Sequence, residues 1–300
     1  MHPHLAAADT AATPIVFVTP SDWEKAAQSF GTDALCYAKA TGFEGKAGTV
    51  ALLPGLGGSI DAVLFGADPA SDPMAAGQLP GLLPDGTYRF STKLKDDALA
   101  TLAFLLGAYR FTAYKTKPAP RKLALVPGPN VDAADVARIA SAITQGRNII
   151  NTPANDYGPA EIEDTIRRLA SCFNASVCSI VGDDLLTHNY PMVHAVGRGS
   201  VRAPRLIDIT WGDPSHPKVT LVGKGVAFDT GGLNIKPDAA MLLMKKDMGG
   251  AATAIAAAEM IMAAKRKVRL RLIVPAVENS ISGSSFRPGD ILPSRKGITV

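Results

Sequence analysis

Apolar residues in this chain come in two kinds of run, and their alternation predicts the architecture. Short β-branched or aliphatic runs bounded by glycine, proline or charge predict strands at 15–18, 48–53, 61–66, 87–90 and 123–126. Between them, apolar positions recur at helical spacing over 23–29 behind Ser21-Asp22, over 34–40, and over 96–114. In the last of these, Asp96-Asp97 places carboxylates at the positive end of the helix. The runs 48–53 and 61–66 flank Pro54-Gly55-Leu56-Gly57-Gly58-Ser59, which lacks the lysine of a phosphate-binding loop and precedes no helical pattern, so it reads as a hairpin turn. Prolines within 117–122 break the third helix, and Pro127-Gly128-Pro129-Asn130 ends a first domain over 1–130.

A helix over 133–150, behind the expected N-cap Asp132, repeats apolar residues such as Val136, Ile139, Ala140 and Ile143 and reads as a link, 131–150, to a second domain over 151–300. There, Pro159-Ala160-Glu161 opens a helix to about 172, and 175–181 is a strand. A short helical piece follows at 185–188, and 192–197 leads into Gly197-Arg198-Gly199-Ser200. The runs 205–211 and 218–222 flank a Gly-Asp-Pro turn and are expected to pair as a hairpin. The stretch 251–264 is apolar almost all round, so it should be buried on several sides, and 268–277 is a strand entering the core. The fold class is α/β: a smaller amino-terminal α/β domain, a linking helix, and an α/β/α sandwich with a mixed sheet, its chemistry at strand ends.

Composition narrows the partners. The 300 residues are 47% hydrophobic, enough for at least one sizeable core, their number alone suggests two domains, and the net charge of +4 is mild. Basic clusters at 115–122 and 265–271 read as solvated faces, which makes nucleic acid an unexpected partner. Cys36, Cys172 and Cys178 form an odd set without metal-ligand spacing, consistent with buried or inert thiols in a reducing compartment. The first residues lack a basic and apolar leader, and no apolar run reaches membrane-span length, so the expected location is cytoplasmic. His188 and His194 read as hydrogen-bonded structural groups rather than metal ligands.

One stretch does not fit a solvated surface. Residues 219–253, VTLVGKGVAFDTGGLNIKPDAAMLLMKKDMGGAAT, place Lys224, Asp229, Lys236 and Asp247 among glycines and long apolar runs. The strand 219–222 ends in Gly223-Lys224-Gly225, Asp229 leads into Thr230-Gly231-Gly232, and 239–246 has helix-like spacing before Asp247. Singly, each charge has an ordinary explanation. Asp247 caps the following helix, Asp229 closes an Asx-turn, and the lysines are solvated. Jointly, two carboxylates in glycine-rich turns supply the hard oxygens a divalent cation requires, and a buried amine that loses its proton can join them.

These residues resemble the leucyl (cytosol) aminopeptidase family, two-metal exopeptidases. The resemblance rests on VGKGVAFDTGG, the lysine of NIKP, and KKDMGGAA, and extends to NTPANDYGP at 151–159 and to ENSISG and FRPGDIL within 278–292. It implies that Lys224 is a neutral amine ligand, that Asp229 bridges both metals, and that Asp247 ligates the same metal as Lys224. It also implies that Lys236 stays protonated beside the scissile carbonyl and that Met244 lines the pocket for the first side chain of the substrate. The metals, Mn or Zn, would bind the free amino terminus and activate a bridging water. The partners implied are peptide substrates, leucine-like at the amino terminus, and further copies of the chain in a hexamer.

The chain departs from the family at one point. The family's second signature, Asn-Thr-Asp-Ala-Glu-Gly-Arg, supplies two further carboxylates and an arginine after the RPGDI segment, and Val300 precedes it. Two divalent ions bring four positive charges, whereas Asp229 and Asp247 with a neutral Lys224 bring two negative ones. The 300 residues are therefore expected to bind at most one metal well, the ion resting on Asp229 alone being lost first. A non-catalytic scaffold or nucleic-acid-binding member of the same family is the alternative reading.

Overall fold

The structure, a computed structural model, describes residues 2–115, 121–285 and 290–300. Residues 116–120, within the basic cluster 115–122 and the break 117–122, and residues 286–289 of FRPGDIL lie outside the described residues. The chain divides into two compact units, Met1–Ser141 and Ala142–Val300.

The first unit carries β1 (Thr13–Val18), α1 (Trp23–Gln28), α2 (Thr32–Ala40), β2 (Val50–Pro54), β3 (Ile60–Gly66), α3 (Leu79–Leu82), β4 (Gly86–Phe90), α4 (Asp97–Gly107), β5 (Leu123–Val126) and the start of α5 (Ala133–Asn151). Its sheet runs β2-β3-β1-β4-β5, antiparallel only between β2 and β3, which form the expected hairpin across the glycine cluster. Gly57 and Gly58 sit at φ 67° and 83° in that turn, a conformation other residues rarely adopt. Ile15, Val63, Phe65 and Tyr88 pack with Phe104 of α4 in the core. Asp96 caps α4 by accepting from the Leu99 N–H at 2.8 Å, and Asp132 accepts from the Ala134 and Asp135 N–H groups at the start of α5. Asp22 holds the N-cap position of α1, but its carboxylate turns back to the Thr19 N–H and hydroxyl.

The helix expected over 96–114 ends at Gly107. A Cβ at Gly107 would lie 1.9 Å from the Gly77 carbonyl oxygen, so the helix reaches that point in backbone-to-backbone contact. The Arg110 guanidinium then takes the Gly107 and Tyr109 carbonyls, satisfying the helix end with a side chain.

The second unit continues with α6 (Pro159–Phe173), β6 (Ser176–Val181), α7 (Asp184–Thr187), α8 (Pro191–Gly197), β7 (Arg205–Trp211), β8 (Lys218–Val222), β9 (Gly225–Asp229), α9 (Asp238–Met241), α10 (Gly249–Ala263) and β10 (Arg269–Asn279). The sheet order is β6-β7-β10-β8, with β9 also on β10. It is mixed: β10 is antiparallel to β7 and parallel to β8 and β9. Leu270, Leu272, Val274 and Ala276 of β10 share a buried cluster with Ile162 and Ile166 of α6 and Ala251, Ile255 and Ala258 of α10. On α8, a Cβ at Gly197 would come within 3.2 Å of the Val277 side chain of β10. The apolar α10 buries Ala251, Ala252, Ala254, Ile255, Ala256, Ala258 and Met262 and leaves Gly250 and Thr253 exposed.

One expectation fails here for an identifiable reason, and a second fails in its burial half. The strands β7 and β8 do not pair with each other, because β10 enters between them. The connection after β7 wraps the start of β10: the Arg269 guanidinium donates to the Gly212 carbonyl, and the Arg269 N–H donates to the Pro217 carbonyl. The three cysteines are exposed and free, so burial is not what keeps them unpaired. His188 and His194 are hydrogen-bonded to the Asp184 carbonyl and the Asp183 carboxylate, in keeping with structural roles. Among the described residues, no helix is long and apolar enough to cross a membrane.

Candidate active site

The strand after Val222 is one the sequence reading missed. The chain turns at Gly223-Lys224 and resumes as β9 along the same neighbour, β10, so β8 and β9 are one long strand interrupted at Lys224. The interruption is held from below by the start of α10. The Ala251 N–H donates to the Lys224 carbonyl at 2.8 Å. A Cβ at Gly223 would meet the Ala251 Cα at 2.7 Å and the Gly250 carbonyl oxygen at 2.9 Å, so only glycine lets the turn sit this close to the helix.

The expected helix over 239–246 divides into α9 and a 3-10 turn, Met244–Met248, which packs against β9. Asp247 lies inside that turn and gives α10 no side-chain cap, which sets aside its reading as a helix cap. Its Oδ1 accepts from the Lys224 ammonium at 2.9 Å. Its Oδ2 is buried with no hydrogen-bond partner among the described residues, although the Asp247 side chain is 12% exposed and that of Lys224 61%. Leaving a buried charged oxygen unpaired costs about 1–3 kcal/mol or more.

At the other end of β9, Asp229 accepts from the Gly231 N–H at 2.9 Å, so the Asx-turn does form, through Oδ1. The same oxygen accepts from the Asn279 amide at 2.7 Å, and Oδ2 faces the Lys236 ammonium at 3.1 Å. Gly231 and Gly232 adopt φ 88° and 63°, and the Lys236 N–H closes the loop onto the Thr230 carbonyl at 3.0 Å. Burial pushes the Asp229 carboxyl up. The bonds from Gly231, Lys236 and Asn279, with the charge of Lys236, outweigh it and hold the group below the usual carboxylate range.

A cavity of about 490 Å³ opens here, lined by Asp229, Gly231, Asn234, Ile235, Lys236, Pro237 and Asn279. Of the five residues singled out from the sequence, Asp229 and Lys236 line it and are paired with each other. Lys224 and Asp247 form a second pair, and Met244 is half-buried at the start of the 3-10 turn. Among the described residues, no three His, Cys, Asp or Glu side chains gather as a metal cluster. The donors available are two carboxylates and an amine. Asn279 was missed as a site residue, although it lies in ENSISG, one of the segments that carry the resemblance, and in a polar pair, Glu278-Asn279, following the long apolar run of β10.

Two family models match this chain: the catalytic domain of the cytosol aminopeptidase family over residues 144–300, and the M17 aminopeptidase N-terminal domain over residues 13–127. The chain belongs to the cytosol aminopeptidase family. A probable cytosol aminopeptidase of Rhodococcus opacus is 37% identical over 233 residues, 72% of this chain and 46% of that relative. The crystal structure of the cytosol aminopeptidase from Coxiella burnetii is 40% identical with a TM-score of 0.92, covering 99% of this chain and 65% of the other. The bottromycin maturation enzyme BotP, solved in complex with Mn, is 28% identical with a TM-score of 0.79, covering 97% of this chain and 64% of its own. The chain thus spans about half the length of the curated cytosol aminopeptidases it matches. The mixed α/β architecture is that of the family.

Proposed function

We propose that this chain carries part of the site of a metal-dependent aminopeptidase that removes a leucine-like amino-terminal residue from peptides. The observation that carries the reading is the Asp247 carboxylate: one oxygen rests on the Lys224 amine and the other is buried without a partner among the described residues, as fits a ligand prepared for a cation. Asp247, Lys224 and Asp229 would hold divalent metal, Mn or Zn, with the Lys224 amine contributing as a ligand once deprotonated. Such a metal supplies Lewis-acid polarisation of a peptide carbonyl and an acidified water.

The chain's own side chains divide the remaining work. The Lys236 ammonium, 3.1 Å from Asp229 at the cavity wall, provides a fixed positive charge for the oxyanion that develops on the substrate carbonyl. Asp229 keeps that charge in place while the cavity is empty of substrate. Met244 is assigned to the pocket for the first side chain of the peptide. With two carboxylates among the assigned ligands, at most one metal ion binds well. The partners proposed from the resemblance are peptides and further copies of the chain, in a hexamer.

Titration of the chain with Mn2+, followed by hydrolysis of leucine 4-nitroanilide, tests this reading. The expected result is one well-bound ion per chain, lost in Asp247→Asn. A chain that binds no Mn2+ and leaves the amide uncleaved would favour the scaffold reading, and two tightly bound ions would overturn the charge argument.

A further inference from the structure

We propose that Asn279 is a positioning residue for the Asp229 carboxylate, occupying its Oδ1 so that Oδ2 is the oxygen turned toward Lys236 and the cation site. The inference rests on the metallopeptidase reading above and adds to it a residue outside the ligand set.

The arrangement begins with a break in strand register. Ala276 and Val277 of β10 stand opposite Gly225 and Val226 of β9, yet Asn279 stands opposite Asp229, so β9 has gained one residue through an irregularity between Val277 and Asn279. Without that extra residue, Asn279 would oppose Phe228. The bulge therefore re-aims the last side chain of β10 at the last side chain of β9.

Asn279 then holds the loop by two atoms. Its Nδ2 donates to Asp229 Oδ1 at 2.7 Å. Its main-chain carbonyl accepts from both the Thr230 N–H at 3.0 Å and the Thr230 hydroxyl at 2.9 Å. Its Oδ1 faces Gly232, where a Cβ would come within 3.1 Å. With the Gly231 N–H also on Asp229 Oδ1, that oxygen has two donors, and Oδ2 is the one that faces the Lys236 ammonium at 3.1 Å. A carboxylate ligand held by an outer hydrogen bond keeps one orientation, and losing such a partner typically weakens metal affinity by about 10–100-fold.

The test uses Asn279→Ala, Asp229→Ala and the double variant, with Mn2+ affinity read by electron paramagnetic resonance of the free ion and folding read by thermal melting. Asn279→Ala is expected to weaken Mn2+ binding by about 10–100-fold. Its melting loss should be clearly smaller in the Asp229→Ala background, because the side-chain bond has then already gone. If Asp229→Ala loses Mn2+ while Asn279→Ala binds it as the parent does, the positioning role is overturned and the metallopeptidase reading stands. Equal melting losses in both backgrounds would also overturn it, by showing that the carboxamide serves only the bulge. A parent chain without Mn2+ affinity sinks both.

Discussion

Asp247 and Asp229 are each paired with a lysine, yet the two pairs differ in what they leave over. Asp247 retains a buried oxygen that none of the described residues satisfies, whereas both oxygens of Asp229 are engaged. On the proposed reading, Asp247→Asn should weaken Mn2+ binding by more than about tenfold, the lower end of what even an outer partner costs. Lys236→Ala should leave Mn2+ affinity near that of the parent and lower the turnover of a leucine amide by about 100-fold, the scale of one lost oxyanion-stabilising group. Loss of metal in Lys236→Ala, measured by the same titration, would show that the lysine belongs to the binding set. At this scale, the sequence displayed the four charged residues because charge among glycines and apolar runs stands out. It did not display Asn279, since an asparagine at a strand end looks like any turn residue until the bulge opposite Asp229 is seen.

Elements were legible where their signal is local. Strands β1 to β5, helices α2 and α6 and the glycine-cluster hairpin follow their apolar runs and caps. What escaped depended on distant neighbours: α4 ends where Gly107 meets the Gly77 backbone, and β10 takes its place between β7 and β8 by a partner choice that no periodicity encodes. The turn before β9 offers a direct test. Gly223→Ala would drive a methyl into Ala251 and Gly250, costing about 2 kcal/mol by overpacking and displacing Lys224 from Asp247, which denaturant unfolding and Mn2+ titration would both register.

Between α6 and the sheet, Glu163 joins Arg167 of its own helix to Arg205 of β7, with an Oε2 contact of 2.7 Å to Arg205. Burial pushes this carboxyl up, but the bonds from Ser179, Arg205 and Arg167 prevail and hold it below its ordinary value. Its stabilisation is therefore complete above the unfolded pKa, about 4.3, and is lost as pH falls through the lower folded value. Glu163→Gln should cost about 3 kcal/mol at neutral pH, because it leaves buried charge unpaired. The difference from the parent should shrink under strongly acidic conditions, as measured by urea unfolding at each pH.

For the molecule as a whole, composition and alternation were enough to indicate an α/β protein, and the two units each carry a five-stranded sheet. Solvent access of single residues was not legible, because an isolated cysteine looks the same to a periodicity argument whether it faces the core or water. Cys36, Cys172 and Cys178 are all exposed. A thiol reagent under native conditions should accordingly modify three groups per chain, and fewer would contradict the exposure seen here.

The central place of β10 bears on how the protein is made. A ribosome releases β7 and β8 well before the strand that must lie between them, so for some seconds at ordinary elongation rates both remain with their inner edges unpaired. Ile207 and Ile209 sit opposite Val274 and Leu272, and nascent chains stalled before residue 269 should exchange those two amides freely. The second sheet is thus completed only when β10 emerges, and the newborn chain is most open to aggregation or chaperone capture just before that strand appears.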